Sequence, residues 1–249
     1  MEFINDLITV KFSQNLILGV IGILGSLILV PFLRRDHQKK NTKKIGKLYY
    51  HSIFRSNRCI WLLREINALD DFELVDVDVW DKTSQKCKDF TERVNPHTTV
   101  PVLEFEDMIM IESAAICMYL ADKYQKCLPD DKRDFYNIMF YACGTVDEVM
   151  EKLFVQYFFK EPKGEEDKNV IEQAVHKFNI CAKYLTSRLQ SRQYICGDKF
   201  TVADCVIGYN VWWASVIKDG FLLTNFPELQ AYFCRLKNRP AFKQTWSNS

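Results

Sequence analysis

The chain has 249 residues, enough for one or two domains, with 33 basic and 32 acidic side chains and a formal net charge of +1. This balance gives no indication of nucleic-acid binding. The nine cysteines are scattered and include no Cys-x-x-Cys pair, which argues against a disulfide framework and against a zinc site. A reducing compartment fits this pattern, and no metal site is expected.

An apolar segment lies near the start of the sequence. No charged residue occurs between Lys11 and Arg34, so residues 12–33 form a window of 22 residues, about the length of a helix that crosses a bilayer. A buried core helix or a cleaved signal peptide would also be apolar, but a signal peptide carries its basic residues first. Here they follow, because residues 34–47 carry a net charge of +6. The sequence predicts one transmembrane helix at 12–33.

The basic residues behind this segment also predict an orientation. Residues 34–44 lack apolar periodicity and are interpreted as a solvated basic linker beside anionic headgroups. Basic flanks stay on the cytosolic side of a membrane. We therefore expect a single-pass protein of the endoplasmic reticulum or another endomembrane, with the bulk of the chain facing the cytosol.

Residues 45–125 alternate between strand and helix patterns. Apolar side chains recur at helical spacing after Ser56, whereas other stretches alternate in polarity as half-buried strands do. Turn-forming Asn and Pro residues separate these stretches. In chain order the predicted elements are a strand at 45–50, a helix from Ser56, a strand at 73–80, a short helix at 83–94, a strand at 102–105, a strand at 108–111 and a helix from Glu112.

Residues 130–249 are predicted to be wholly helical. Thr201 and Asp204 have the spacing of a capping box, with Asp in the usual Glu or Gln position. Pro227 is placed to open a further helix, and Arg239-Pro240 is interpreted as the start of a tail. The predicted helices are 134–159, 167–189, one opening at Thr201 and one opening at Pro227.

Three motifs resemble those of the cytosolic glutathione transferase superfamily, over essentially all of 45–249. Val100-Pro101, followed by Glu112-Ser113 at the next helix start, resembles the glutathione-binding signature. The box at 201–204 and the stretch from 226 to 242 resemble the two motifs of its helical domain, and 112–124 is especially similar to bacterial and fungal members. The resemblance implies an α+β fold: a thioredoxin-like domain at 45–125 and an all-α helical-bundle domain at 130–249, preceded by the transmembrane helix.

The resemblance further implies a glutathione site. A cis bond before Pro101 would turn Val100 outward, so that its N–H and C=O bind an extended peptide, with Thr99 beside it. Ser113 and the free N–H groups at its helix start would bind the γ-glutamyl carboxylate, while Glu112 would bind the ammonium group. Simple helix capping is the alternative role for this pair. Relatives often have Lys or Gln at the position of Thr99.

The thiol activator is expected near the end of the first strand, where a hydroxyl or thiol would hold the glutathione sulfur as thiolate. Tyr49 stands where tyrosine-type members have their tyrosine. Ser56 has surroundings that favour an anion, at a helix start between two arginines, although an ordinary N-cap is its alternative role. Phe54 stands where many bacterial-type relatives have serine. Tyr50 and Ser52 are further candidates.

Two functions from different classes are compatible with the sequence. One is an enzyme that conjugates glutathione, its co-substrate, to hydrophobic electrophiles, or reduces lipid-derived peroxides, at a membrane surface. The other is a non-catalytic adaptor of the same fold, which Phe54 and Thr99 favour. The expected partners are glutathione, a hydrophobic electrophile, the bilayer and a second copy in a homodimer, without nucleic acid. The aromatic residues expected to line an acceptor pocket are Tyr136, Phe140, Tyr141, Trp212 and Trp213.

Overall fold

The computed structural model describes residues 43–247. The predicted transmembrane helix at 12–33 and nearly all of the predicted linker at 34–44 lie outside the described residues. Within 43–247, no helix is both long enough and apolar enough to cross a membrane.

The first half of the described chain contains a four-stranded sheet with the strand order β2-β1-β3-β4. Strands β1 and β2 are parallel, whereas β1 with β3 and β3 with β4 are antiparallel. This is the thioredoxin-like arrangement of βαβ followed by ββα, and it confirms the prediction. The elements are β1 (Gly46–Tyr50), α1 (Ser56–Glu65), β2 (Phe72–Asp76), α2 (Gln85–Arg93), β3 (Val102–Phe105), β4 (Met108–Met110) and α3 (Ser113–Tyr124).

The two faces of this sheet bury different side chains, because successive residues of a strand point to opposite faces. Leu48 and Leu103 belong to the large core that contains α1 and α3. Tyr49 and Val102 belong to a smaller cluster with Phe90 of α2. The sheet is therefore covered on both faces.

Strand β2 is shorter than the predicted strand at 73–80. It ends at Asp76, because the Asp78 carboxylate accepts hydrogen bonds from the backbone N–H groups of Trp80 and Asp81 and closes a turn. Val77 and Val79 remain buried beside this turn. The alternation of the sequence therefore reports burial correctly but not the strand end.

The second half is helical, as predicted. The predicted helix at 134–159 is interrupted by two π-helical segments, Ala142–Val146 and Val155–Lys160, a feature that often accompanies functional sites. The α-helices are α4 (Lys132–Tyr141), α5 (Asp147–Phe154), α6 (Lys168–Leu189), α7 (Val202–Val216), α8 (Pro227–Lys237) and α9 (Pro240–Trp246).

The interpretation of residues after Arg239 as a tail is wrong, because they form α9. Phe242 and Trp246 stack with ring centroids 4.0 Å apart, and both pack edge-on against Trp61 of α1. Four-residue spacing places these two rings on one helix face, and burial of aromatic surface stabilises even a short helix there.

The two halves share one core, in which α1 packs against α7. A Cβ atom on Gly208 of α7 would lie 2.6 Å from a Leu236 methyl group and 2.9 Å from the Trp61 ring. Gly208 therefore allows the close approach that holds α1, and the sheet behind it, against the helical half.

Candidate functional site

The loop before β3 contains the predicted cis peptide bond between Val100 and Pro101. The Asn95 amide fixes this loop by donating hydrogen bonds to the carbonyl and the hydroxyl of Thr99, at 2.9 and 3.1 Å. Within 43–247, no backbone hydrogen bond uses the N–H or C=O of Val100. The main chain at Val100 is thus available to pair with an extended ligand, as the sequence predicts.

Glu112 and Ser113 open α3, also as predicted. Glu112 is exposed and has a φ angle of 71°, a left-handed conformation that costs free energy for a residue other than glycine. Ser113 is only 5% exposed, and its hydroxyl oxygen accepts a hydrogen bond from Arg58 at 3.2 Å. Because Arg58 occupies one lone pair of Ser113, the hydroxyl proton is left for another acceptor, such as a ligand carboxylate.

Arg58 is the central buried cation of the region. It donates to both carboxylate oxygens of Asp147, at 2.9 and 2.6 Å, and also to the Asn210 side-chain oxygen. Its guanidinium lies 4.9 Å from the centre of the Tyr209 ring. Burial alone would lower the pKa of Arg58, but the charge and hydrogen bonds of Asp147 raise it above its ordinary value. The cation is therefore permanent.

The same network holds the turn between β1 and α1. The Tyr209 hydroxyl donates to the carbonyl oxygen of Ile53 at 2.8 Å, and Ile53 has a φ angle of 70°. A β-branched residue rarely adopts this conformation, so contacts from the helical half maintain it. From the sequence, Arg58 is one of the two arginines that flank Ser56, with a structural role in the loop as its alternative. Its partners could not be found, because Asp147 and Asn210 lie 89 and 152 residues away.

Tyr49 lies on the α2 face of the sheet. Its hydroxyl donates to the Glu104 carboxylate at 2.7 Å, and the residue is 9% exposed. Burial, then the hydrogen bond and charge of Glu104, raise the pKa of Tyr49. Tyr49 is therefore a neutral phenol whose proton is directed at a side chain of the protein.

Ser56 is fully buried at the first position of α1, where its hydroxyl oxygen accepts a hydrogen bond from the backbone N–H of His51 at 3.3 Å. The N-cap residue of α1 is Arg55, whose side chain makes no hydrogen bond to the N–H groups at the helix start. Arg55 pairs with Asp147 and Glu151 on α5, at 3.3 and 3.2 Å. Tyr50 and Ser52 are partly exposed beside this turn.

An aromatic wall, defined here as Phe54, Trp80, Phe159, Phe154 and Trp213, runs from the β1–α1 turn into the helical half. Successive ring centroids lie 4.6, 5.5, 5.5 and 5.1 Å apart. Phe159 belongs to the second π-helical segment and is 36% exposed.

This wall differs from the predicted acceptor lining. Trp213 alone belongs to both sets, since Tyr136 and Phe140 lie exposed on α4 and Trp212 is buried against Trp246. Tyr141 packs against Tyr184. The sequence missed Trp80 and Phe159, which are brought together from a loop and a π-helical segment far apart in the chain. In the described part of the chain, no cluster of His, Cys, Asp and Glu side chains could hold a metal ion.

A thioredoxin-like sheet with a cis-proline loop, joined to an all-helical half, defines the structural class. Residues 46–122 match the family model for the N-terminal domain of glutathione S-transferase, and residues 145–240 match the model for its C-terminal domain.

Known proteins agree with this class. Glutathione S-transferase D7 of Drosophila melanogaster is 30% identical over 164 residues, which cover 63% of this chain and 68% of that protein. Glutathione S-transferase F14 of Arabidopsis thaliana is 28% identical over 212 residues, which cover 80% and 82%. A Pseudomonas fluorescens family member, solved with two glutathione bound, has a TM-score of 0.71 at 22% identity, covering 84% of this chain and 96% of that one. The chain belongs to the glutathione S-transferase family, and the predicted enzyme class, glutathione transferase, is confirmed.

Proposed function

We propose that this protein conjugates glutathione to hydrophobic electrophiles, or uses it to reduce lipid-derived peroxides, at a membrane surface. The observation that carries the proposal is the start of α3, where Arg58 holds the Ser113 hydroxyl beside the strained, exposed Glu112. A helix N-terminus with a directed hydroxyl and a nearby carboxylate suits the γ-glutamyl group, which carries one carboxylate and one ammonium.

The loop at Val100 would hold the rest of the tripeptide. Its unpaired main-chain groups suit an extended peptide, and relatives in the same family bind glutathione in solved structures. Thr99 lies exposed at this loop, with its carbonyl and hydroxyl already bound to Asn95. Thr99 would therefore stabilise the loop conformation rather than bind the ligand through its side chain.

We expect Ser113→Ala and Glu112→Gln each to weaken glutathione binding by roughly ten- to hundredfold, because a hydrogen bond to a charged group is worth about 1.5–3 kcal/mol. Isothermal titration calorimetry of the full chain measures the change. Glu172→Gln, an exposed substitution on α6, is the matched control and should bind like the wild type. Wild-type affinity in both site variants would place the ligand elsewhere.

The aromatic wall is the surface best suited to an apolar acceptor. Phe54 and Trp80 form the end of this wall next to the β1–α1 turn, and the Phe159 ring is partly exposed. Burial of aromatic or lipid-derived surface against such rings is favourable, which supports a hydrophobic class of electrophile.

The adaptor function is the second candidate, and Phe54 is the observation that favours it. This ring stands at the position of a serine in many relatives and packs against Trp80. The two candidates differ in turnover: an adaptor would retain the fold, and even glutathione binding, without forming a thioether product.

A homodimer is part of the proposal. Large apolar side chains are exposed on the edge strand β4 and on α4, among them Ile109 and Phe140, which is 73% exposed. Exposed apolar surface of this kind marks association sites. Light scattering of the purified protein should give twice the chain mass, and a monomer at micromolar concentration would contradict the dimer.

The membrane location rests on the sequence of residues 12–33 and on the basic residues that follow. We expect the full chain to pellet with membranes and to resist carbonate extraction, because a span of about 20 apolar residues inserts stably. Residues 45–249 should be open to protease added outside sealed microsomes. Release of the protein by carbonate would contradict the membrane location. Full protection from the protease would contradict the orientation.

A further inference from the structure

A histidine and an aspartate meet at the carboxyl ends of the two parallel strands. His51 directly follows β1, and its Nδ1 atom lies 2.9 Å from an Asp76 carboxylate oxygen at the end of β2. The imidazole is 19% exposed and the carboxylate is 57% exposed. A carboxylate on one ring nitrogen orients an imidazole and fixes its tautomer.

Strand direction and aromatic contacts place the ring near the predicted ligand loop. Because β1 and β3 are antiparallel, the end of β1 that leads to His51 lies beside the start of β3, which follows the cis Val100-Pro101 bond. The ring packs against Phe54 and Trp80, with centroids 5.5 and 6.4 Å away. Asp76 of β2 is the charged side chain that contacts the His51 ring, and the two aromatic side chains that contact it are uncharged. No hydrogen bond between described residues uses the Nε2 atom of His51.

The two leading hydroxyl candidates, Tyr49 and Ser56, are both buried. Tyr49 donates to Glu104, and Ser56 is fully buried and accepts from the His51 backbone. Phe54 supplies no hydroxyl. His51 is partly exposed, oriented by Asp76 and located at the end of β1, so it is better placed than Tyr49 or Ser56 to meet the thiol in the middle of the tripeptide.

We propose that His51, positioned by Asp76, activates the thiol of bound glutathione; this inference rests on the proposed function. The S–H bond breaks, its electron pair stays on sulfur, and the proton moves to Nε2 of His51. The thiolate then forms the carbon–sulfur bond with an aryl or alkyl halide as the halide leaves with its electron pair. The imidazolium afterwards releases its proton to solvent. While protonated, it stabilises the adjacent thiolate.

The test titrates the thiol of bound glutathione by its ultraviolet thiolate absorbance, in the full chain and in His51→Gln. We expect His51→Gln to raise the pKa of the bound thiol by about one unit or more, with roughly tenfold less thiolate near neutral pH. The kcat/KM for an aryl halide should fall in parallel and recover as pH rises, because hydroxide then removes the proton.

Two further variants and one ligand make the outcome decisive. Asp76→Asn removes a half-exposed carboxylate and should shift the titration in the same direction by less, whereas His176→Gln on the exposed face of α6 should leave it unchanged. S-methylglutathione, which has no thiol, should bind wild type and His51→Gln equally. If S-methylglutathione binds equally and the thiol titration is unchanged in both His51→Gln and Asp76→Asn, the role of His51 is overturned while the proposed function stands. If wild type binds neither glutathione nor S-methylglutathione, the proposed function fails and this inference with it.

Discussion

Replacing Asp204 with alanine is expected to lower the free energy of unfolding by about 3–5 kcal/mol. Asp204 is fully buried and accepts four hydrogen bonds: from the Ile195 and Thr201 backbone N–H groups, at 2.9 and 2.8 Å, and from the Thr201 and Tyr232 hydroxyls, at 3.1 and 2.8 Å. Alanine would leave these donors buried without an acceptor. Urea unfolding followed by circular dichroism measures the loss.

A stability near that of the wild type would show that the capping box contributes little. Asp122→Ala, which removes an exposed carboxylate on α3, is the matched control and should change the free energy of unfolding by less than about 0.5 kcal/mol. Glutathione affinity of folded Asp204→Ala should be close to that of the wild type, because Asp204 contacts Tyr232 and the segment around Ile195, not α3.

The same carboxyl group predicts a pH dependence. Burial raises the pKa of Asp204 to about 6, against the opposing effect of its hydrogen-bond donors. A pKa that is higher in the folded chain means that the folded state binds the proton more tightly. The protonation of Asp204 therefore contributes stability that is fully present below about pH 4 and is lost as pH rises through about 6. The wild type should gain about 1–3 kcal/mol from pH 7 to pH 4 relative to Asp204→Asn.

The second large effect is expected at the buried pair of Arg58 and Asp147. Arg58→Met should lower the free energy of unfolding by about 3–5 kcal/mol, because it leaves the Asp147 carboxylate buried without its bidentate partner. The substitution also removes the hydrogen bonds that Arg58 donates to Ser113 and Asn210. Chemical denaturation of the purified variant provides the measurement.

A double-mutant cycle separates the pair from its surroundings. Arg58→Met with Asp147→Leu should be more stable than Arg58→Met alone, because apolar residues can replace a buried ion pair at little cost. Strictly additive losses would mean that the two side chains are not coupled. Glutathione binding in the double variant should be weaker than in the wild type, since the Ser113 hydroxyl is no longer held by Arg58.

The features that follow from local sequence could be predicted. The capping box depends on residues three positions apart, the start of α3 on Glu112-Ser113, and the chain order of strands and helices on alternation and turn residues. The cis bond before Pro101 was predicted from the family resemblance, because residue spacing alone does not indicate a cis bond.

The features that depend on tertiary contacts could not be predicted. Two partners of Arg58, Asp147 and Asn210, lie in helices of the other half, and the carboxylate of Asp76 reaches His51 from the neighbouring strand. The aromatic wall likewise combines Trp80 from a loop with Phe159 from a π-helical segment, for which the sequence has no periodic signal. The sequence left four candidates for the thiol activator, because the choice among them depends on tertiary contacts of this kind.

The central claim, that this chain transfers glutathione, is tested most directly by the rate of thioether formation from glutathione and an activated aryl halide. With the purified full chain, we expect a rate that is proportional to protein concentration and saturates with glutathione. Ser113→Ala should require more glutathione for half-saturation. A rate no greater than in buffer, at glutathione concentrations that saturate binding, would contradict the transferase function and favour the adaptor.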